Sequence, residues 1–254
     1  MSTVSEPGYH VFERSSAQMA ALTDGEVDLV FTSPPYFSDA TEERLRVRKH
    51  QQTDYERLVR EITEFALSLR PIFAEIERVL QTGRFLVLQT KHIRYGDALV
   101  PLTDLHAELA LNTGLRLVSK VEWLGTGRNP NRVPAFAKQP RRFGFRALDT
   151  ETFLIFRKGD RIVGEALDDA LGVDVEELIL PLWRTAPAAG RRHAYASPPE
   201  VVRRFVELLS APGDLVLDPF CGFGTVLKVA ARLGRRAVGY DTDPTCVRES
   251  ERLS

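Results

Sequence analysis

The run Thr32-Ser33-Pro34-Pro35-Tyr36 follows an apolar stretch, Val27-Asp28-Leu29-Val30-Phe31. Two consecutive prolines therefore close a strand where a sheet usually presents its ligand. Proline lacks an N–H and restricts the residue before it, so Ser33 and Pro34 are both held extended. The Ser33 hydroxyl and the Pro34 carbonyl become fixed acceptors. A pair of such acceptors suits a donor group that carries two N–H bonds, and Tyr36 places an aromatic ring beside them. Taken alone, the run also fits a rigid proline turn. A WW-domain ligand is excluded, because Phe37 stands where that motif needs tyrosine.

The second informative run is GDLVLDPFCGFGTVLKVAARLGRRAVGYDTDP, residues 213–244. A strand ends at Asp218, a turn of Pro219, Phe220, Gly222 and Gly224 follows, and a helix starts near Thr225. A second strand ends at Asp241, which can accept two hydrogen bonds from a ribose diol, while the glycines let a ligand approach the backbone. This describes a nucleoside cofactor site, although a glycine-bearing turn without a ligand has the same pattern. An NAD-linked oxidoreductase is disfavoured, since the third glycine of the dinucleotide fingerprint falls at Leu227.

These residues need a sheet to position them. Strands are predicted around 9–12, 27–31, 84–89, 115–124, 151–157, 214–217 and 236–240, and helices over 54–69, 71–80, 101–112, 198–210, 224–233 and 243–252. Pro71 is placed to start a helix. The alternation predicts an α/β fold, a doubly wound sheet with helices on both faces and ligands at the carboxyl ends of its strands. With 254 residues and 43% hydrophobic positions, the chain fits one domain. No apolar leader and no spanning segment is visible, so the sequence reads as soluble and cytoplasmic. Cys221 and Cys246 match no disulfide framework or metal spacing, and no metal is expected. A net charge of -1 argues against coating nucleic acid by bulk electrostatics, so any such surface is local. Nothing precludes a homodimer.

With both runs in view, TSPPY resembles the catalytic motif of amino-group DNA methyltransferases, and DPFCGFGT resembles their S-adenosylmethionine motif. The catalytic motif comes first, as in the circularly permuted beta class of that family. Looser similarity extends to ERVLQTGRFLVL, LDTETFLIFRKGD and HAYASPPEVVRRFVELL. The resemblance implies a Rossmann-like methyltransferase sheet, S-adenosylmethionine as cofactor, and double-stranded DNA with one base flipped out as partner. It implies catalytic roles for Ser33, Pro34, Pro35 and Tyr36, and cofactor binding by Asp218, Pro219, Phe220, Gly222, Gly224, Thr225 and Asp241. Ser197 stands where a Phe-Pro or Lys-Pro pair is frequent, and Arg14-Ser15-Ser16 where Gly-Asp often touches the cofactor adenine, so Ser15, Ser16 and Ser197 join the cofactor set. Phe223 replaces a usual serine. Serine at the first motif position leans toward N4 of cytosine, with N6 of adenine the alternative and a silent cofactor-binding DNA module the second. Methylation at carbon 5 of cytosine needs a Pro-Cys nucleophile, which is absent.

Residues 125–149 read as an inserted recognition segment between a catalytic part, 1–124, and a cofactor-binding part, 150–254. The segment holds Arg128, Arg132, Lys138, Arg141, Arg142 and Arg146 with no acidic residue from 125 to 148. Such a run fits phosphate tracking and groove reading, but equally a solvated face.

Overall fold

The computed structural model describes residues 8–36, 55–95, 98–125, 150–160, 181–185 and 197–252. Strands β1 (Gly8–Glu13) and β2 (Val27–Thr32) precede helix α1 (Tyr55–Val79), strand β3 (Leu80–Thr90) and a small hairpin, β4 (Ile93–Tyr95) with β5 (Ala98–Val100). Helix α2 (Leu102–Leu111), β6 (Arg116–Gly125), β7 (Thr150–Arg157) and β8 (Leu182–Thr185) follow. The C-terminal part contributes α3 (Pro199–Leu209), β9 (Leu215–Asp218), α4 (Thr225–Arg232), β10 (Arg236–Asp241) and α5 (Pro244–Arg252).

Eight strands form one sheet in the order β1-β10-β9-β2-β3-β7-β6-β8. The first five are mutually parallel, and β7 runs antiparallel to both β3 and β6. Strand order reverses between β9 and β2, since β9 leads outward to β10 while β2 leads the other way to β3. A crevice opens at the carboxyl ends of strands at such a reversal. Burial on both faces explains the apolar runs. Along β2, Leu29 and Phe31 enter one core with Val201, Phe205, Val226 and Val247, whereas Val30 enters the other with Phe73, Ile76 and Leu102. Period-two alternation thus feeds two helical layers at once.

One sequence expectation is corrected. Pro71 does not start a helix; it lies inside a single 25-residue helix, α1. Its ring removes one backbone donor, which normally breaks a helix. Here Phe65, Leu69, Ile72, Phe73 and Ile76 continue one buried stripe across the proline, and packing of that stripe outweighs the lost bond. Strands β4, β5 and β8 have no counterpart in the sequence expectations. Among the described residues no helix is long and apolar enough to cross a membrane.

Candidate functional site

The turn after β2, the turn after β9 and the tips of β10 and β1 converge on a cleft of about 410 Å³. Ser33 and Pro35 line it from β2, Pro219 and Phe220 from β9, Asp241 and Thr242 from β10, and Arg14, Ser15 and Ser16 from β1. Helix α1 closes the remaining wall with Ser68, Leu69 and Ile72, which sequence reasoning missed because they look like an ordinary apolar stripe.

The two motifs are joined by a hydrogen bond. The Thr32 hydroxyl donates to Asp218 Oδ1 at 2.7 Å, and the Phe220 amide donates to the same oxygen at 3.1 Å. Thr32 is fully buried and Asp218 is 4% exposed. Burial, reinforced by the negative charge of Asp241, pushes the Asp218 carboxyl up to about 7 against the pull of those two bonds. Asp241 accepts from the Gly222 amide at 2.8 Å and from the Asp243 amide at 2.8 Å. One bond to each oxygen leaves lone pairs for a diol. No ion pair reaches either carboxylate among the described residues. Arg14 is the cation that lines the same cleft.

The glycine turn is shaped for close approach. Gly222 has φ +49°, and a side chain there would point into open space. Gly224, at φ +73°, caps α4, and a Cβ on it would stand 3.0 Å from Ser250 Cβ. Cys221 is a packing residue: its Sγ lies 2.8 Å from where a Cβ on Gly239 would sit, and burial raises its thiol far above the usual range. A thiolate nucleophile is not available from it.

These features fit a cationic nucleoside such as S-adenosylmethionine: an acceptor for the ribose at Asp241, carboxyl groups that no ion pair engages, and Phe220, Leu69 and Ile72 as an apolar slot.

Other expected residues are placed differently. Pro34 and Tyr36 are buried behind the lining. The Lys91 ammonium lies 4.8 Å over the Tyr36 ring. Gly222, Gly224, Thr225 and Asp218 are not among the residues that line the cleft. Ser197 is buried away from the lining and donates to Gln89 Oε1 at 2.5 Å, while the Gln89 amide nitrogen donates to Glu151. Its role there is to tie the start of α3 to β3. Arg128, Arg132, Lys138, Arg141, Arg142 and Arg146 lie outside the described residues. The ends that flank them are defined: Leu124 pairs with Thr150 across β6 and β7. Because β6 runs parallel to β2 through the β3-β7 pairing, both anchors stand on the edge of the sheet that carries the cleft.

Residues 27–252 match the model of the N6/N4 family described as DNA methylase. The Type II methyltransferase M.MjaI of Methanocaldococcus jannaschii is 28% identical over 89% of this chain and 84% of its own length. The Type II methyltransferase M.MthZI of Methanothermobacter thermautotrophicus is 25% identical over 92% and 73%. Among solved structures, TTHA0409 of Thermus thermophilus complexed with S-adenosyl-L-methionine superposes with a TM-score of 0.71 at 23% identity, covering 97% of this chain and 92% of that one. The PvuII DNA methyltransferase, described as cytosine-N4-specific, gives 0.71 at 17% identity over 96% and 85%.

Proposed function

Because this chain belongs to the N6/N4 DNA methylase family and is a DNA methyltransferase, we propose that it methylates the exocyclic N4 amine of cytosine at a specific duplex site, with S-adenosylmethionine as donor. The observation that carries this reading is the Thr32–Asp218 hydrogen bond, 2.7 Å long. It fixes the amine-holding turn and the cofactor turn on adjacent parallel strands facing one cleft.

The residues divide the work. Asp241 holds the ribose diol, and Asp218 and the Gly222-Phe223-Gly224 backbone surround the positively charged end. Bound there, S-adenosylmethionine supplies a methyl group on a sulfonium. The Ser33 hydroxyl and the Pro34 carbonyl accept from the two amine hydrogens and leave the nitrogen lone pair directed at the cleft. The strand end and the two prolines set that geometry before the base arrives, so little reorganisation is needed. The base must leave the duplex to reach them. Stacking on Tyr36 then requires that Lys91 move off the ring. Proton loss from the methylated amine goes to water. Ser33 supports cytosine over adenine by the family's leaning at that position, and the buried Cys221 leaves no nucleophile for carbon 5 chemistry. The arginine-rich segment, whose flanking residues Leu124 and Thr150 stand at the same end of the sheet as the cleft, supplies the duplex footprint and the recognition sequence, and the protein acts in the cytoplasm.

The test is mass spectrometry of nucleosides from varied DNA incubated with the intact chain and Ser33→Ala. N4-methylcytosine from the former, with a turnover loss on the order of 100-fold in the latter and unchanged cofactor affinity, supports the reading. N6-methyladenine would overturn the base assignment and keep the mechanism.

A further inference from the structure

We propose that Lys91 binds the phosphate of the extruded nucleotide, leaving the Tyr36 ring as the base arrives there. The inference rests on the reading that Tyr36 stacks on that base. Strands β2 and β3 are parallel, and Thr32 pairs with Leu88. Three residues beyond that pair stand Pro35 on one strand and Lys91 on the other, so Lys91 emerges beside the TSPPY turn. The two residues before it are held on opposite faces of the sheet. Thr90 is fully buried and its hydroxyl meets His106 Nδ1 at 2.9 Å, while Gln89 accepts from the Ser197 hydroxyl at 2.5 Å. The stem of Lys91 therefore starts from a fixed point, and its half-buried side chain reaches solvent.

The Lys91 ammonium lies 4.8 Å from the centroid of the Tyr36 ring. Aromatic partners stack with centroids about 4.5 to 7 Å apart, so the ammonium holds the place that a base would take. Tyr36 is buried in the core of Leu69, Phe73 and Leu88, and its ring is reached where Lys91 covers it. Two charges decide where Lys91 goes. Methyl transfer places positive charge on the target amine before a proton leaves, and an ammonium kept at the ring would oppose it. The nucleotide that brings the base also brings a phosphate, one sugar away. A lysine is a flexible four-carbon stem ending in a compact charge, suited to follow that anion. A cation–π contact near the surface contributes only about a few-fold to an equilibrium, so its exchange for a phosphate contact favours the extruded state.

Salt dependence on amplified, unmethylated duplex DNA of mixed sequence separates the outcomes, with the native chain, Lys91→Met and Lys91→Arg compared. Lys91→Met keeps an aliphatic stem over the ring and removes the charge. Its kcat/KM for methyl transfer, which requires extrusion, is expected to fall on the order of tenfold at low salt. The slope of log kcat/KM against log salt should flatten by roughly 0.7 to 0.9, one phosphate contact, while the slope for binding the same DNA without turnover stays that of the native chain. Lys91→Arg should keep both slopes. An unaltered kcat/KM slope in Lys91→Met, or a variant faster than the native chain, would overturn the proposal and reduce Lys91 to a cover that competes with the base. Flattening of both slopes would also overturn it, by assigning Lys91 to the ordinary duplex footprint. A folding defect lowers kcat/KM without changing its slope. Tyr36→Leu is measured in parallel: if its kcat equals that of the native chain, the stacking reading fails, whatever Lys91 does.

Discussion

Replacing Asp218 by Asn is expected to stabilise the cofactor-free fold at neutral and alkaline pH. The Asp218 carboxyl is almost wholly buried, and burial together with the Asp241 charge raises it from 3.8 to about 7. At 1.36 kcal/mol per pH unit, that difference corresponds to about 4 kcal/mol of stability lost once the group is ionised. The sign follows from proton counts. Between pH 3.8 and 7 the folded state holds a proton that the unfolded state has released, so stability falls as pH rises through that window. An asparagine Oδ1 keeps the bonds from the Thr32 hydroxyl and the Phe220 amide and carries no charge. His106 runs the other way: it is fully buried, its Nδ1 meets the Thr90 hydroxyl at 2.9 Å, and burial lowers its pKa from 6.5 to about 4. Stability linked to His106 is present above 6.5 and lost as pH falls toward 4. From pH 4 to 6.5 the two slopes oppose and cancel in the native chain. Urea unfolding of the native chain and Asp218→Asn, at steps from about pH 4 to 8.5, exposes them. The difference between the two should climb by about 1.4 kcal/mol per pH unit up to about pH 7 and then level. A difference independent of pH would refute the reasoning, because Asp218 would then ionise like an exposed carboxyl. Calorimetry of cofactor binding near pH 6 in two buffers of different ionisation enthalpy gives a second reading: as the cation binds, the native chain should release up to one proton to the buffer, and Asp218→Asn none.

Asp241→Ala is expected to weaken S-adenosylmethionine binding by about 1.5 to 3 kcal/mol, the scale of charge-assisted hydrogen bonds; unchanged affinity in calorimetry would remove Asp241 from the site. Neutralising Arg141 and Arg142 together should flatten log affinity against log salt by at most about two, roughly 0.9 per lost phosphate contact. An unaltered slope would assign both arginines to solvent or to packing.

Most of the architecture was legible because the parallel strands are buried on both faces and appear as apolar runs of helix-excluding length. What escaped notice was short or locally contradictory. The three-residue strands Ile93–Tyr95 and Ala98–Val100 and the four-residue edge strand Leu182–Thr185 are too brief for periodicity to register. Pro71 misled because local chemistry argues for a helix start, whereas tertiary packing carries α1 through it. The site divides the same way. TSPPY and DPFCGFGT could be read because proline, glycine and carboxylate chemistry is local. Ser68, Leu69 and Ile72 could not, since only folding brings that turn of α1 to the cleft. Ser197, implicated by motif analogy, is buried in a hydrogen bond with Gln89 outside the lining of the cleft.

The permuted chain order needs no special device at the site, because the sheet closes the distance. Thr32 and Asp218 are 186 residues apart in sequence, and Asp28 and Leu215 are 187 apart. Both pairs are hydrogen-bonded, one at the cleft end of β2 and β9 and one at the opposite end, where the Leu215 amide donates to Asp28 at 2.8 Å. Arg84 on β3 adds a third tie at that end, reaching Asp28 at 3.1 Å and Asp214 at 3.3 Å. Burial raises the Asp28 carboxyl, with Asp214 adding to it and Arg84 opposing, so the arginine offsets a cost of bringing two acids together. The lower clamp fixes the register of two strands contributed by distant parts of the chain. The upper bond converts that register into the alignment of the TSPPY turn with the glycine turn after β9.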